Sequence, residues 1–156
     1  MPKSTELGVL NLGCGNKILD AINHDLYKHR PEVDVAWDLN ALPWPWENSQ
    51  FQCVWALSVL EHLDIDLLTA MNEVWRIVTP GGLAVVKLPY WGVAISYADP
   101  THRRVFDPQV FDTLDPSTER GQAYGFYTPF KWKVERREFV NEERTSFVAH
   151  LRKLVT

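Results

Sequence analysis

The chain has little cysteine, no basic excess and no long apolar run, and each shortage removes a class of function. Two cysteines in 156 residues cannot staple a disulfide framework. Cys14 falls in a glycine turn and Cys53 early in a separate predicted strand, so both are expected as small buried thiols toward opposite ends of a sheet, unpaired. Neither belongs to a Cys-x-x-Cys pair, and the five histidines lack His-Glu-x-x-His spacing, so the spacing signals no metal. With 16 Lys+Arg against 20 Asp+Glu, the formal charge of -4 argues against a broad nucleic-acid footprint. No run approaches membrane-spanning length and residues 1–6 carry no apolar leader core, so a cytoplasmic protein is expected. No repeat or low-complexity linker interrupts the chain. Its 46% apolar and 23% charged residues suit a single domain over 1–156 with a sizeable core.

What is present begins with Asn11-Leu12-Gly13-Cys14-Gly15-Asn16, directly after the apolar Leu7, Val9 and Leu10. This reads as a buried strand breaking into a glycine turn. Asp25 then closes a second short apolar stretch, where a carboxylate is placed to accept hydrogen bonds from both hydroxyls of a ribose. A dinucleotide fingerprint would continue to a third glycine, but Ile18 stands there, and no Gly-Lys-Ser/Thr phosphate cradle follows. A cofactor with a ribose and no phosphates fits better.

The ordered series of motifs resembles the class I S-adenosylmethionine-dependent methyltransferases, in particular a small branch of the type 11 kind. Leu10-Asn11-Leu12-Gly13-Cys14-Gly15-Asn16-Lys17 is similar to the first motif and Ile22-Asn23-His24-Asp25 to the second. Asp38-Leu39-Asn40 before Leu42-Pro43 looks like the adenine-contacting loop. Phe51-Gln52-Cys53-Val54 leading to Val59-Leu60-Glu61-His62 looks like the fourth strand and its exit. Glu73, Arg76 and Pro80-Gly81-Gly82 look like the helix and reverse turn before a fifth strand. The resemblance covers roughly residues 7–112 and implies S-adenosylmethionine as cofactor. It implies cofactor contacts at Asn11, Gly13, Cys14, Gly15, Asn16, Lys17, Asp25, Asp38, Leu39, Asn40, Ser58, Glu61 and His62. Asn11 stands where the family often has an acid, and Gln52 where it usually has an aspartate. Asn11 can still hydrogen-bond the turn but brings no charge.

Periodicity predicts strands at 8–12, 21–24, 33–37, 51–57 and 83–88. The clearest helix is 64–78, with Leu67, Met71, Val74, Trp75 and Val78 at helical spacing, Asp64 and Asp66 at its positive end, and Pro80-Gly81 as the stop. Its Met and Trp are read as core. Lys131, Lys133 and Glu135 alternate with Phe130, Trp132 and Val134, the pattern of a strand with one wet face. A turn at 141–144 can then lead to 145–151, a segment whose pattern fits strand or helix and which, as a strand, gives the antiparallel hairpin that often closes the fold of the resembled family. The first two strands are separated by roughly eight residues, fewer than a helical crossover normally needs. Pro31 limits the next connection in the same way. The expected fold is therefore α/β: a Rossmann-like class I methyltransferase sheet, mostly parallel, with a C-terminal antiparallel hairpin and a reduced helical layer on one face. Trp37, Trp44 and Trp46, stiffened by Pro43 and Pro45, are candidates to cover part of the sheet or the adenine. Uncovered apolar sheet surface predicts a homodimer.

Residues 7–89 are thus expected to form the cofactor core, 90–125 the acceptor side and 126–156 the hairpin. The acceptor-side segment holds Tyr90, Trp91, Asp99, His102, Arg103 and Arg104, polar groups bracketed by aromatics. The Asp99-Pro100-Thr101-His102 run also resembles the small methyltransferase branch. Those six are the candidate substrate-binding residues, and His102, then His62, the candidate catalytic ones, since imidazole suits proton removal near neutral pH. Arg103 and Arg104 are read as partners for an anionic group of the acceptor. The favoured function is methyl transfer to a small-molecule or glycan acceptor. A non-catalytic S-adenosylmethionine-binding regulatory or interaction protein is the alternative. Nucleic-acid methylation is weaker, because no Asn/Asp-Pro-Pro-aromatic motif is present.

Overall fold

The computed structural model describes residues 8–155; residues 1–6, read above for a leader, and Leu7 lie outside them. Seven strands form one sheet in the order β3-β2-β1-β4-β5-β7-β6. They are β1 Val9–Leu12, β2 Ile22–Asp25, β3 Val35–Ala36, β4 Phe51–Leu57, β5 Val78–Pro89, β6 Trp132–Phe139 and β7 Ser146–Lys153. The first five pair in parallel, and β7 runs antiparallel to both β5 and β6. This is the expected Rossmann-like sheet with its closing hairpin. Among the described residues no helix is long and apolar enough to cross a membrane.

The connection between β1 and β2 contains no helix, and two asparagines hold it instead. Asn11 Nδ2 donates to the Lys17 carbonyl and to Asn23 Oδ1, both at 2.9 Å. Asn23, fully buried, also accepts from Leu19 N and donates to the carbonyls of Leu19 and Ala21. Polar side chains thus satisfy backbone groups that a helix would have satisfied internally. The short β3 replaces the longer strand expected at 33–37. Asp34 still donates its amide to the Asn23 carbonyl but takes Asn23 N with its side chain, and Val35 and Ala36 keep register with His24 and Asp25.

Helix α1, Leu67–Ile77, is shorter than the expected 64–78 at its amino end. Asn40 Oδ1 holds the amides of Asp64 and Ile65, so Asp66 becomes the cap, accepting from Thr69 N at 2.7 Å. At its other end α1 passes straight into β5 at Val78. Pro80-Gly81 therefore lies inside β5, in a bulge between the pairs Phe51↔Val78 and Cys53↔Leu83, rather than in a turn before it. Met71 is core as read, but Trp75 is half-buried under the Lys153 ammonium, 3.7 Å from its ring. Helix α2, Glu119–Tyr124, follows later in the chain.

One sheet face carries the core. Leu10, Leu12, Val54, Ala56, Ala84, Val86 and Leu151 meet Met71, Val74 and Ile77 of α1, with Phe111, Trp132 and Phe147 further along. Trp44 and Trp46 close this core through α1: Glu73 accepts from Trp44 N, and Arg76 donates to the Trp44 and Trp46 carbonyls. On the other face, register aligns Val9, Cys53 and Leu83, then Trp55 and Val85, then Leu57 and Val148 flanking Lys87. These apolar residues lie outside the core cluster, and all but Val85 are half-exposed. Cys53 is among them, so only Cys14 is the buried thiol expected; both are free.

Candidate functional site

A cavity of about 290 Å³ opens at the carboxyl ends of β1, β2 and β4, where ligands of open parallel sheets collect. Gly13, Gly15, His24, Asp25, Trp37, Asp38, Leu39, Asn40, Ser58 and His62 are among its lining residues. The glycines adopt φ of +58° and +51°. A Cβ on Gly13 would lie 2.4 Å from Val59 Cγ2, whereas one on Gly15 would meet nothing within 4 Å. The turn therefore packs closely on one side and opens toward the ligand space on the other.

Asp25 Oδ2 accepts from Gly15 N at 2.8 Å and Oδ1 from Leu26 N at 2.8 Å. The Cys14 thiol also approaches Oδ2, at 3.9 Å, and the side chain is 23% exposed, so the carboxylate keeps acceptor capacity toward the cavity. The carboxylate is thus fixed by the turn and still able to receive two hydroxyls. Trp37 and Leu39 add an apolar wall, with the Trp37 indole donating to the Ala41 carbonyl. A ribose beside a flat heterocycle, with no phosphates, matches this lining.

Of the other sequence candidates, Asn11 braces the turn from inside the sheet, and Cys14 is buried. Neither lines the cavity. Asn16 and Lys17 are exposed beyond it, Asn16 accepting from Arg30. Glu61 lies in a neighbouring cavity. Asn40 Oδ1 is spent on Asp64 and Ile65, which ties the loop after β3 to the start of α1.

His24 was not a sequence candidate. It is 1% exposed, accepts from Gly13 N at Nδ1 (3.1 Å), and meets the Trp37 carbonyl at Nε2 (2.9 Å). A carbonyl can only accept, so the ring is the neutral Nε2–H tautomer. Burial holds its pKa below the usual histidine value, partly opposed by the Trp37 hydrogen bond. The unfolded chain therefore binds a proton that the native one refuses, and His24's contribution to stability, intact above about pH 6.5, is lost as pH falls. The melting temperature is expected to drop between pH 7 and 5, and His24→Gln to flatten that part of the profile, as read by calorimetric scans.

A second cavity of about 270 Å³ adjoins the first and shares Ser58 and His62 with it. Glu61, Lys87, Ser96, Asp99 and His102 also line it. Ser58, in the left-handed region at φ 61°, sits where β4 ends and the two spaces meet. His102 Nδ1 lies 2.8 Å from the Ser96 carbonyl and so donates to it, leaving a lone pair on Nε2. His62 Nδ1 lies 2.9 Å from Thr101 Oγ1, whose own hydrogen goes to Asp99 Oδ1 at 2.6 Å. His62 Nδ1 must therefore donate as well, and its Nε2 lone pair is also free. Glu61, 1% exposed, places Oε1 3.7 Å from His62 Nε2, while its Oε2 has no hydrogen-bond partner. Burial pushes the Glu61 carboxyl up to about 7.

The remaining acceptor candidates are placed elsewhere. Arg104 spends its guanidinium on the carbonyls of Leu63, Asp64 and Ile65, and Arg103 pairs with Asp64 at 3.1 Å. Neither lines either cavity; Arg104 is engaged by those carbonyls, whereas Arg103, its side chain 56% exposed, holds a surface ion pair. Tyr90 packs between Trp91 and Phe139, and the exposed Trp91 donates to Asp107.

Residues 21–86 match the family described as "Methyltransferase domain". No curated protein is matched. Among solved structures, a putative methyltransferase from Bacillus halodurans C-125 aligns with TM-score 0.64 at 12% identity, over 94% of this chain and 92% of that one. A SAM-dependent methyltransferase from Archaeoglobus fulgidus gives TM-score 0.57 at 16% identity, over 93% and 85%. The [4+2]-cyclase SpnF gives 0.64 at 14%, over 95% and 74%. Residues 21–86 thus resemble a methyltransferase domain, and the sheet with its glycine turn shares the fold of these solved structures.

Proposed function

We propose that the chain moves the methyl group of S-adenosylmethionine to an oxygen of a small-molecule or glycan acceptor held in the second cavity. The observation that carries this reading is the shared wall: Ser58 and His62 belong to both cavities, so donor and acceptor spaces meet at one point. The sulfonium of the donor supplies an already activated methyl group. The protein's work is then to align two reactants and accept or polarise a hydroxyl proton. Asp25 and the Gly13–Gly15 turn hold the nucleoside, the Trp37 and Leu39 wall receives the base, and the His62 and His102 lone pairs face the acceptor oxygen. Asp99 and Lys87 offer further polar contacts to a hydroxylated ligand. Mass spectrometry after incubation with methyl-labelled donor and cell extract tests the reading. A labelled small molecule or glycan supports it, and label in nucleic acid or in nothing refutes it.

Asp25→Ala removes the hydroxyl acceptor and releases Gly15 N, so cofactor affinity should fall by about 1.5 to 3 kcal/mol, or roughly 10- to 150-fold. Equilibrium dialysis with labelled S-adenosylmethionine reads this directly.

The uncovered sheet face supports two further readings. A second copy packed over Trp55, Leu57 and Val148 would make the homodimer expected from the sequence. Light scattering at micromolar concentration should give twice the chain mass, and a monomer throughout refutes it. The same reduced layer favours the alternative of a binding protein that holds the cofactor without turnover. That reading predicts cofactor binding and no labelled product.

A further inference from the structure

We propose that Glu61, His62 and His102 form a three-ligand binding site for a divalent transition-metal ion of the zinc type. The three offer one ligand atom each, all within 4.8 Å of one another. Ligands on a tetrahedral ion with bonds of about 2.0–2.1 Å are spaced about 3.4 Å apart, so side-chain movements on the order of an ångström close the set.

The tautomers speak for an ion beyond mere proximity. Both Nδ1 atoms are committed as donors, to Ser96 O and to Thr101, which fixes the rings and leaves each Nε2 beside a carboxylate, His62's 3.7 Å from Glu61 Oε1 and His102's 3.6 Å from Asp99 Oδ2. Backbone or hydroxyl acceptors behind each ligating imidazole are the usual support of a metal site. Glu61, buried to 1% exposure with Oε2 unpartnered, adds a third electron-rich group to the same space. Lone pairs gathered beside a buried carboxylate repel one another, and a shared cation satisfies all of them at once. Two imidazoles with a carboxylate suit zinc and its neighbours better than calcium or magnesium, which prefer all-oxygen sets. The sequence hid the site because His62 and His102 come from the exit of β4 and the segment after β5.

A site of this kind with a position left open would receive the acceptor's oxygen beside the cofactor cavity. That use rests on the methyl-transfer reading, but the ion site rests on these side chains alone.

The test is zinc binding by the whole chain, stripped with EDTA and titrated with zinc chloride in a calorimeter. One ion per chain with low micromolar or tighter affinity is expected. His102→Ala and His62→Ala should each weaken it at least thirtyfold, whereas Cys14→Ser should leave it unchanged. Cobalt(II) bound to the wild type should show visible d–d bands without a thiolate charge-transfer band, a readout that does not depend on variants folding. No stoichiometric zinc binding, binding that persists in both histidine variants, or a thiolate band would each overturn the site. Because none of these reads activity, a metal site without methyl transfer and methyl transfer without a metal site remain distinguishable.

Discussion

His102→Ala lowers methyl transfer by roughly a hundredfold or more, while S-adenosylmethionine affinity stays within about twofold of wild type. The asymmetry follows from where the side chain lies. His102 lines the second cavity and not the first, and its Nδ1 is held by the Ser96 carbonyl. The ring also meets His62 edge-on at 4.9 Å, and its Nε2 lone pair is the group that an acceptor hydroxyl, directly or through an ion, would use. Losing it raises the barrier without disturbing the donor. His62→Ala differs, because His62 lines both cavities, so cofactor affinity and turnover should fall together. Single-turnover rates and separate cofactor titrations on the two variants measure the contrast. Full activity in His102→Ala with the true acceptor would make the 99–104 segment scaffolding.

Gly13→Ala is the most damaging small change expected in the cofactor site. The residue sits at φ +58°, where an L side chain costs roughly 1–2 kcal/mol, and its Cβ would be 2.4 Å from Val59 Cγ2 and 2.6 Å from Val59 Cβ. Relief requires the turn to lift from the segment after β4, which breaks the hydrogen bond from Gly13 N to His24 and shifts Gly15 away from Asp25. Together these should cost about 3 kcal/mol of stability and at least tenfold in cofactor affinity. The double variant Gly13→Ala with Val59→Gly, which removes both clashing atoms, should recover the steric part relative to Val59→Gly alone and leave the backbone part, a separation that denaturant melts can resolve. Gly15→Ala meets no atom within 4 Å and should show only the backbone cost in stability.

The parts of the fold that were legible in the sequence are those where one signal dominates. The Gly13–Gly15 turn, Asp25 closing β2, the apolar periodicity of α1 and the alternation of β6 each reflect a local requirement for conformation or burial. The thin helical layer was legible too, because chain length limits what a crossover can hold. Boundaries were lost where a distant side chain decides them. Asn40 moves the start of α1 to Leu67, and Asp34 trims β3 to two residues.

The candidate site divided in the same way. Gly13, Gly15, Asp25, Asp38, Leu39, Asn40, Ser58 and His62 share the first cavity, as a linear motif can indicate. Asn11 and Cys14 belong to the same motif but support it from behind. Arg103 and Arg104 looked like acceptor contacts because charge is visible in a sequence, whereas the carbonyls that occupy Arg104 are not. His24 escaped notice because its role depends on two backbone groups, Gly13 N and Trp37 O, brought together only by the sheet. The pairing of Glu61 with His102 spans 41 positions, so no spacing rule would have found it.

Calorimetric titration of the wild-type chain with S-adenosylmethionine and S-adenosylhomocysteine, with a nicotinamide dinucleotide as comparison, tests the central claim most directly. The account predicts one nucleoside site per chain for both sulfur compounds and no heat from the dinucleotide, whose phosphates find no cradle beside Ile18. Binding of the dinucleotide with indifference to both sulfur compounds would contradict it.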